Sequence, residues 1–425
     1  MRIRLQMEKM VFGGQCLGRY ENKVFFVWNA LPGEDVEVEL TKNKKDFAEG
    51  MAVKIITPSP HRLPPKENHF MVCSPWQIMD WEEENRWKRE ICLETYVKIG
   101  GLPKETELGV VMTEENQYRY RNKMEYSFAV KDNKISLGFF ERGERKHISI
   151  EGCDLAEEGI NDTAKVVLDW INKEKIPIRS LKSLIIRSNN QKQTIAALFI
   201  KDELPFASYP KLSDNFLGFH LYYSDHRCPA SRPDKLLHTD GQDYLIADLN
   251  NTKMKYGLLS FFQINIPIFS QALKDISGFL DKDKTVVDYY SGVGAIGLPL
   301  AKFCRDIVFV DNNREAIAYA KENIKLNSLG NKCRAELCPA EKITELIKKD
   351  KIIIFDPPRA GLHEDVVKKI LEEKPEKIIY LSCNVSTHAR DIKLLSGDYE
   401  IKFLKLYNFF PRTPHVESLC VMTRK

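Results

Sequence analysis

The sequence predicts an α/β protein. Its C-terminal part is read as a doubly wound parallel sheet, preceded by a central α+β region and an N-terminal small β-barrel. Three observations carry this reading. From Thr285 onward, apolar runs alternate with glycine turns and helical patterns (Thr285 to Tyr289, Gly297 to Phe303, Ile307 to Val310, Arg314 to Asn327), as parallel strands joined by crossover helices require. Residues 1–58 hold short strands between turn signals (Gly13-Gly14, Leu31-Pro32-Gly33-Glu34), and Val36-Glu37-Val38-Glu39-Leu40 alternates with period two. Residues 57–65 contain four prolines in nine positions, which ends the strands and marks a linker.

The expected division is therefore 1–58 barrel, 59–250 central region and 251–425 doubly wound domain. A chain of 425 residues exceeds the roughly 100–200 residues of one domain. Within the central region, Trp87, Ile91, Leu93, Val97 and Ile99 are spaced for an amphipathic helix over 81–100, stopped by Gly100-Gly101 and free to pack on the C-terminal domain. Strands are expected at Lys123 to Lys131, Ser183 to Ser188 and Thr194 to Ile200, with a helix near Ile160 to Lys173.

Composition excludes several classes. Hydrophobic residues at 43% and charged residues at 29% suit a globular chain, and no apolar run nears the roughly 18 residues of a membrane span. The charged first residues lack the apolar core of an export signal, so the cytoplasm is the expected compartment and the ten cysteines are expected to stay reduced. A net charge of +4 is too mild to identify a polyanionic partner.

Val286-Val287-Asp288-Tyr289-Tyr290-Ser291-Gly292-Val293-Gly294-Ala295-Ile296-Gly297 sets a G-x-G-x-x-G between a strand and a helix, where backbone approaches a ligand closely. Asp311 follows Gly292 by nineteen residues at the end of the next strand, placed to accept from ribose hydroxyls. Glu341 is a candidate for the adenine edge. Cys383, in Ser382-Cys383-Asn384, stands where an apolar strand ends, at the crevice side of an open sheet, as a nucleophile would. Glu417 begins the last strand, where burial would raise its pKa into the range of a general base; His415 is its rival.

Five motifs together resemble the RNA uracil-C5 methyltransferase family: Ser260-Phe261-Phe262-Gln263-Ile264-Asn265, Asp288-Tyr289-Tyr290-Ser291-Gly292-Val293-Gly294, Asp356-Pro357-Pro358-Arg359, Ser382-Cys383-Asn384 and His415-Val416-Glu417-Ser418. Residues 1–58 resemble the TRAM domain, a small RNA-binding barrel. The resemblance implies a Rossmann-like class I methyltransferase domain that uses S-adenosylmethionine to make 5-methyluridine. It implies Cys383 as the nucleophile adding to C6, Glu417 as the base removing the C5 proton, and a target base flipped from its stack. It also implies cofactor contacts at Gln263, Tyr290, Gly292, Gly294, Asp311, Glu341 and Asp356. The barrel favours ribosomal RNA over tRNA as partner; uridine 54 of tRNA and a non-catalytic RNA-assembly role are the alternatives, and a monomer is expected.

One departure stands out. Many members carry a [4Fe-4S] cluster on C-x5-C-x2-C plus a distant cysteine, and here Glu67 and Trp76 stand at the first and third positions. Only Cys73 and Cys153 remain, so no cluster and no metal is expected, although His69 lies nearby as a conceivable substitute ligand. The run Tyr118-Arg119-Tyr120-Arg121-Asn122-Lys123 is read as an RNA-contacting face of interleaved aromatics and cations.

Overall fold

The computed structural model describes residues 2–111, 117–142 and 146–425. Strands β1 (Arg2–Met10), β2 (Cys16–Tyr20), β3 (Lys23–Trp28), β4 (Asp35–Asn43) and β5 (Phe47–Thr57) close into a barrel of order β1-β2-β3-β5-β4. The antiparallel β1–β4 pair seals it and removes the open edges. Alternation puts Val36 and Val38 inside with Leu5, Met7, Phe25 and Val27, all buried. Glu34, in the turn after β3, is fully buried yet satisfied: it accepts from the backbone N–H of Leu31 (2.8 Å) and Ser59 (3.1 Å) and from the Arg62 guanidinium (2.5 and 2.8 Å). The proline-rich linker is thereby bolted to the barrel, because releasing Arg62 would leave a buried carboxylate unpaired.

After β6 (Gly109–Val111), the central region forms a seven-stranded sheet from β7 (Lys123–Lys131), β8 (Lys134–Phe140), β9 (His147–Ile150), β10 (Leu181–Ser188), β11 (Thr194–Ile200), β12 (Phe216–Tyr223) and β13 (Lys235–Gly241), in the order β13-β12-β11-β10-β7-β8-β9. The helix Glu158–Lys173 packs Ile160, Ala164, Val167 and Ile171 against one face. The other face meets a hairpin, β14 (Tyr244–Leu249) and β15 (Thr252–Gly257), which is shared with the C-terminal core; β11 is consequently apolar and buried along its whole length. The expected division at residue 250 falls in the turn of this hairpin.

The C-terminal sheet uses β16 (Thr285–Tyr289), β17 (Asp306–Asp311), β18 (Cys333–Leu337), β19 (Ile352–Phe355), β20 (Lys377–Ser382), β21 (Tyr399–Tyr407) and β22 (Glu417–Arg424), and takes in β6. The order is β18-β17-β16-β19-β20-β22-β21-β6, parallel from β18 to β20, with β22 antiparallel between β20 and β21. Strand order reverses between β16 and β19, the switch point at which such sheets open a crevice for ligands. The helix expected over 297–303 is shorter, Gly297–Leu300, continued by a 3₁₀ turn Ala301–Phe303.

The helix Trp81–Thr95 starts where the Asp80 side chain accepts from Glu83 N–H (2.8 Å), and it ends through a wider turn, Tyr96–Gly100, with Gly101 left-handed at φ +72°. It packs on the C-terminal domain. Lys88, fully buried, donates to Glu84 (2.8 Å) and to Asn408 Oδ1 (2.6 Å), and Tyr96 Oη lies 2.8 Å from His388 Nδ1. No helix among the described residues is long and apolar enough to cross a membrane.

Candidate active site

Strand register brings the two predicted catalytic residues together. In the antiparallel β20–β22 ladder, Leu381 faces Leu419 and Ser382 faces Ser418, where the ladder ends; Cys383 follows Ser382 directly and Glu417 precedes Ser418, close enough for the carboxyl to raise the thiol. Asp356 follows the end of β19, adjacent to β20. Asn384 fixes the turn: its Oδ1 accepts from Ser386 N–H (3.1 Å) to cap the helix Val385–Leu395, and its Nδ2 donates to Arg359 O (2.9 Å). The Asp356–Arg359 loop is thus tied to the residue after Cys383.

Burial tunes these groups. Glu417 is 4% exposed, its Oε2 has no hydrogen-bond partner, and burial, reinforced by Asp356, holds its carboxyl well above the usual range. Burial lifts Asp356 to about 7, and its Oδ2 accepts from Gln263 Nε2 at 3.4 Å. Two carboxyls in one low-dielectric site resist being ionised together, so the pair holds a proton near neutrality. The Cys383 thiol is pushed up to about 11 by burial and then by Glu417 and Asp356, while Arg359 opposes the rise. His415 is pushed down to about 4 by burial and the Arg359 charge, leaving it a weak base.

Cys383 lines a cavity of about 280 Å³ with Arg359, Asn384, Pro414 and His415. That is near the small end of ligand pockets, which start at about 300 Å³. Its far wall comes from the barrel: Val11, Phe12 and Gly13 of the β1–β2 turn. Phe12 is 60% exposed there, and Phe261, two residues before the buried Gln263, is 70% exposed. The place of Phe12 on this cavity had no local signal, since Arg359, Cys383 and His415 on the same cavity are more than 300 positions away in the chain.

The glycine turn after β16 is cofactor-shaped. Gly292 and Gly294 have φ of +55° and +88°, and a Cβ at Gly294 would sit 2.7 Å from Leu298 Cδ1. Tyr290 also adopts a left-handed φ of +61°, which costs a non-glycine residue energy and here turns its ring into a groove shared with Glu341, Pro358 and Leu362. Asp311 braces the turn, its two oxygens accepting from Gly292 N–H and Asn313 N–H at 2.8 Å each. Asp288 is fully buried; one oxygen accepts from Gly297 N–H (3.1 Å) and the other has no partner. Asp288, Asp311 and Asp356 sit at the ends of adjacent strands with no cationic side chain paired to them among the described residues. A ligand bearing a sulfonium and an ammonium group supplies the missing positive charge, so the residues present fit S-adenosylmethionine.

The sequence profile of the tRNA (uracil-5-)-methyltransferase family matches residues 102–425, and that of the TRAM domain matches residues 2–53. The chain belongs to the tRNA (uracil-5-)-methyltransferase family. It is 29% identical over 450 residues to an uncharacterised RNA methyltransferase of Fusobacterium nucleatum, covering 100% of this chain and 96% of that one. It is likewise 29% identical to one from Aquifex aeolicus, covering 100% and 99%. Among solved structures it resembles the Pyrococcus abyssi tRNA (uracil-54, C5)-methyltransferase in complex with S-adenosyl-L-homocysteine, with a TM-score of 0.80, 25% identity and coverage of 99% and 100%.

Two readings need correction in this methyltransferase. The run Tyr118 to Lys123 is not an RNA-facing strand. Tyr120 is 4% exposed and donates to Pro411 O (3.0 Å), Arg121 is turned inward with its Nε buried, and only Arg119 is well exposed, paired with Glu158. The segment braces the loop that leads to Glu417. His220, on β12 of the central sheet, is a satisfied core residue bonded to Gln242 O and Thr239 Oγ1. Trp76 is not spare either: it is 1% exposed, its Nε1 donates to Gly14 O (3.0 Å) and its backbone N–H to Arg412 O (3.1 Å). With Trp76 so engaged and Glu67 in place of a thiol, the donor set does not fit a [4Fe-4S] cubane held by four cysteines.

Cofactor affinity should depend on pH. Asp356 is lifted to about 7 by burial, and as an expected cofactor contact it attracts the cation only when ionised, so binding should release a proton below that value. S-adenosylmethionine affinity is expected to rise with pH, up to about tenfold per unit below 7, and to level off above it. Calorimetric titration across this range checks the slope, which Asp356→Asn should flatten.

Proposed function

We propose that this enzyme makes 5-methyluridine in RNA through a covalent adduct, with Cys383 as nucleophile and Glu417 as base. The observation that supports the reading is the end of the β20–β22 ladder, which leaves Cys383 on the wall of a cavity of about 280 Å³ and the buried carboxyl of Glu417 near enough to raise its thiol. Cys383 passes its thiol proton to solvent water at the open side of the cavity, and Sγ adds to C6 of the flipped uracil; the C5–C6 π electrons move toward O4, which makes C5 nucleophilic. Bound S-adenosylmethionine supplies an electrophilic methyl group for C5. Once methyl transfer has discharged the sulfonium, the proton shared by the pair sits on Asp356 and Glu417 is ionised; Glu417 then accepts the C5 proton, the C5–C6 double bond re-forms, and Sγ leaves as thiolate, assisted by the Arg359 charge. Gln263 holds Asp356 in place, and exposed Phe261 offers a stacking face to the extruded base.

The TRAM barrel supports ribosomal RNA as the substrate. A second reading, uridine 54 of tRNA, is favoured by the end-to-end likeness to the Pyrococcus abyssi tRNA enzyme, which spans 99% of this chain, barrel included. Tritium-methyl transfer to separated ribosomal and tRNA fractions from cells lacking the gene distinguishes them. Label appearing as 5-methyluridine in the ribosomal fraction is the expected result; label in tRNA alone selects the second reading, and no label in any RNA defeats both.

A further inference from the structure

Away from the active site, Glu67, His69, Cys73 and Cys153 present a carboxylate oxygen, a ring nitrogen and two sulfurs that all lie within 4.8 Å of one another. We propose that these four residues bind one zinc ion in a closed, tetrahedral, structural site that clamps the linker to the central domain. A tetrahedral zinc with bonds of roughly 2.0–2.3 Å separates its donors by a little under 4 Å, so small side-chain rotations complete the shell. The set holds two sulfurs, one nitrogen and one oxygen, a mixture that suits zinc, and it leaves no open position for a substrate.

Independent features point to a ligand. His69 is 9% exposed, and its buried Nε2 has no hydrogen bond, although it lies 3.1 Å from Glu67 Oε1. Outer partners already orient the donors: Asp154 N–H (2.5 Å) and Gln77 Nε2 (2.8 Å) donate to the Glu67 oxygens, and Ser74 Oγ lies 2.9 Å from Cys73 Sγ. Such supporting bonds are what hold metal ligands in orientation. Zinc with two thiolates and a carboxylate carries a net charge of −1. Arg121, buried with an unpartnered Nε and in electrostatic contact with both cysteines, balances it. Glu67 is then a ligand in its own right rather than a lost one, and a single ion takes the place of a cubane.

The test uses the untagged full-length protein, purified without chelators and analysed by elemental mass spectrometry, then stripped and titrated with zinc or cobalt(II). About one zinc per chain is expected as purified. Cobalt loading should give the intense visible bands of tetrahedral thiolate coordination, and zinc should compete them away. Cys73→Ser should lose those bands, and His69→Gln should weaken cobalt binding by tenfold or more. Should the cysteine variant fail to fold, the wild-type titration decides alone. Iron with acid-labile sulfide, a Cys73–Cys153 disulfide in fresh protein, or no uptake of either metal would each overturn the proposal.

Discussion

Cys383→Ala should lower methyl transfer to RNA by on the order of 10⁴ or more while leaving S-adenosylmethionine binding intact. The side chain lines the cavity and lies outside the groove that holds Tyr290 and Glu341, so its removal takes away the proposed nucleophile without touching that groove. Single-turnover assays with parallel calorimetry measure both quantities. Transfer within tenfold of wild type would end the covalent scheme; a parallel loss of cofactor binding would point to misfolding instead.

Glu417→Gln should give the opposite signature: turnover down by roughly 10²–10⁴, with an RNA–protein adduct that survives denaturing electrophoresis. Addition and methylation precede the step that needs Glu417, so the chain of events stops with Sγ still on C6. Glutamine keeps the volume of a buried side chain that has one unpartnered oxygen, so packing should change little. Labelled RNA comigrating with the variant, and absent from the Cys383→Ala, Glu417→Gln double variant, is the readout. A variant that is inactive but forms no adduct would move Glu417 to an earlier step and sink the assignment of the base.

Much of the fold was legible in the sequence because local patterns and tertiary structure agree. The strand Thr285–Tyr289 has its predicted ends, and Lys123–Lys131 and Thr194–Ile200 likewise, because each is bounded by turn residues and buried on at least one face. Cys383, Asp356 and the glycine turn could be placed because strand ends in a parallel sheet share one edge. What resisted reading was long-range. Tyr118 to Lys123 has the composition of a wet strand, yet its tyrosine hydroxyl reaches a carbonyl 291 positions away. Glu67 and Trp76 were read by what they replace, whereas their roles depend on partners at Asp154, Gly14 and Arg412. The wall that Phe12 lends to the cavity belongs to the same class.

The node around Trp76 carries a mechanical meaning. Its indole holds the barrel through Gly14 O, where any side chain would meet Pro414 at 2.7 Å, and its backbone holds Arg412, five residues before Glu417. Arg412 in turn donates to Met79 O (2.8 Å), and its own N–H bonds the buried Glu84. The barrel is therefore joined through a few buried bonds to the segment that carries Glu417, the proposed base. By linkage, an RNA that binds more tightly when Glu417 is correctly set must itself help to set it, so recognition by the barrel and readiness of the proton acceptor are two readings of one free energy. Substrate selection in such an arrangement can be exercised at the rate of chemistry as well as at the step of binding.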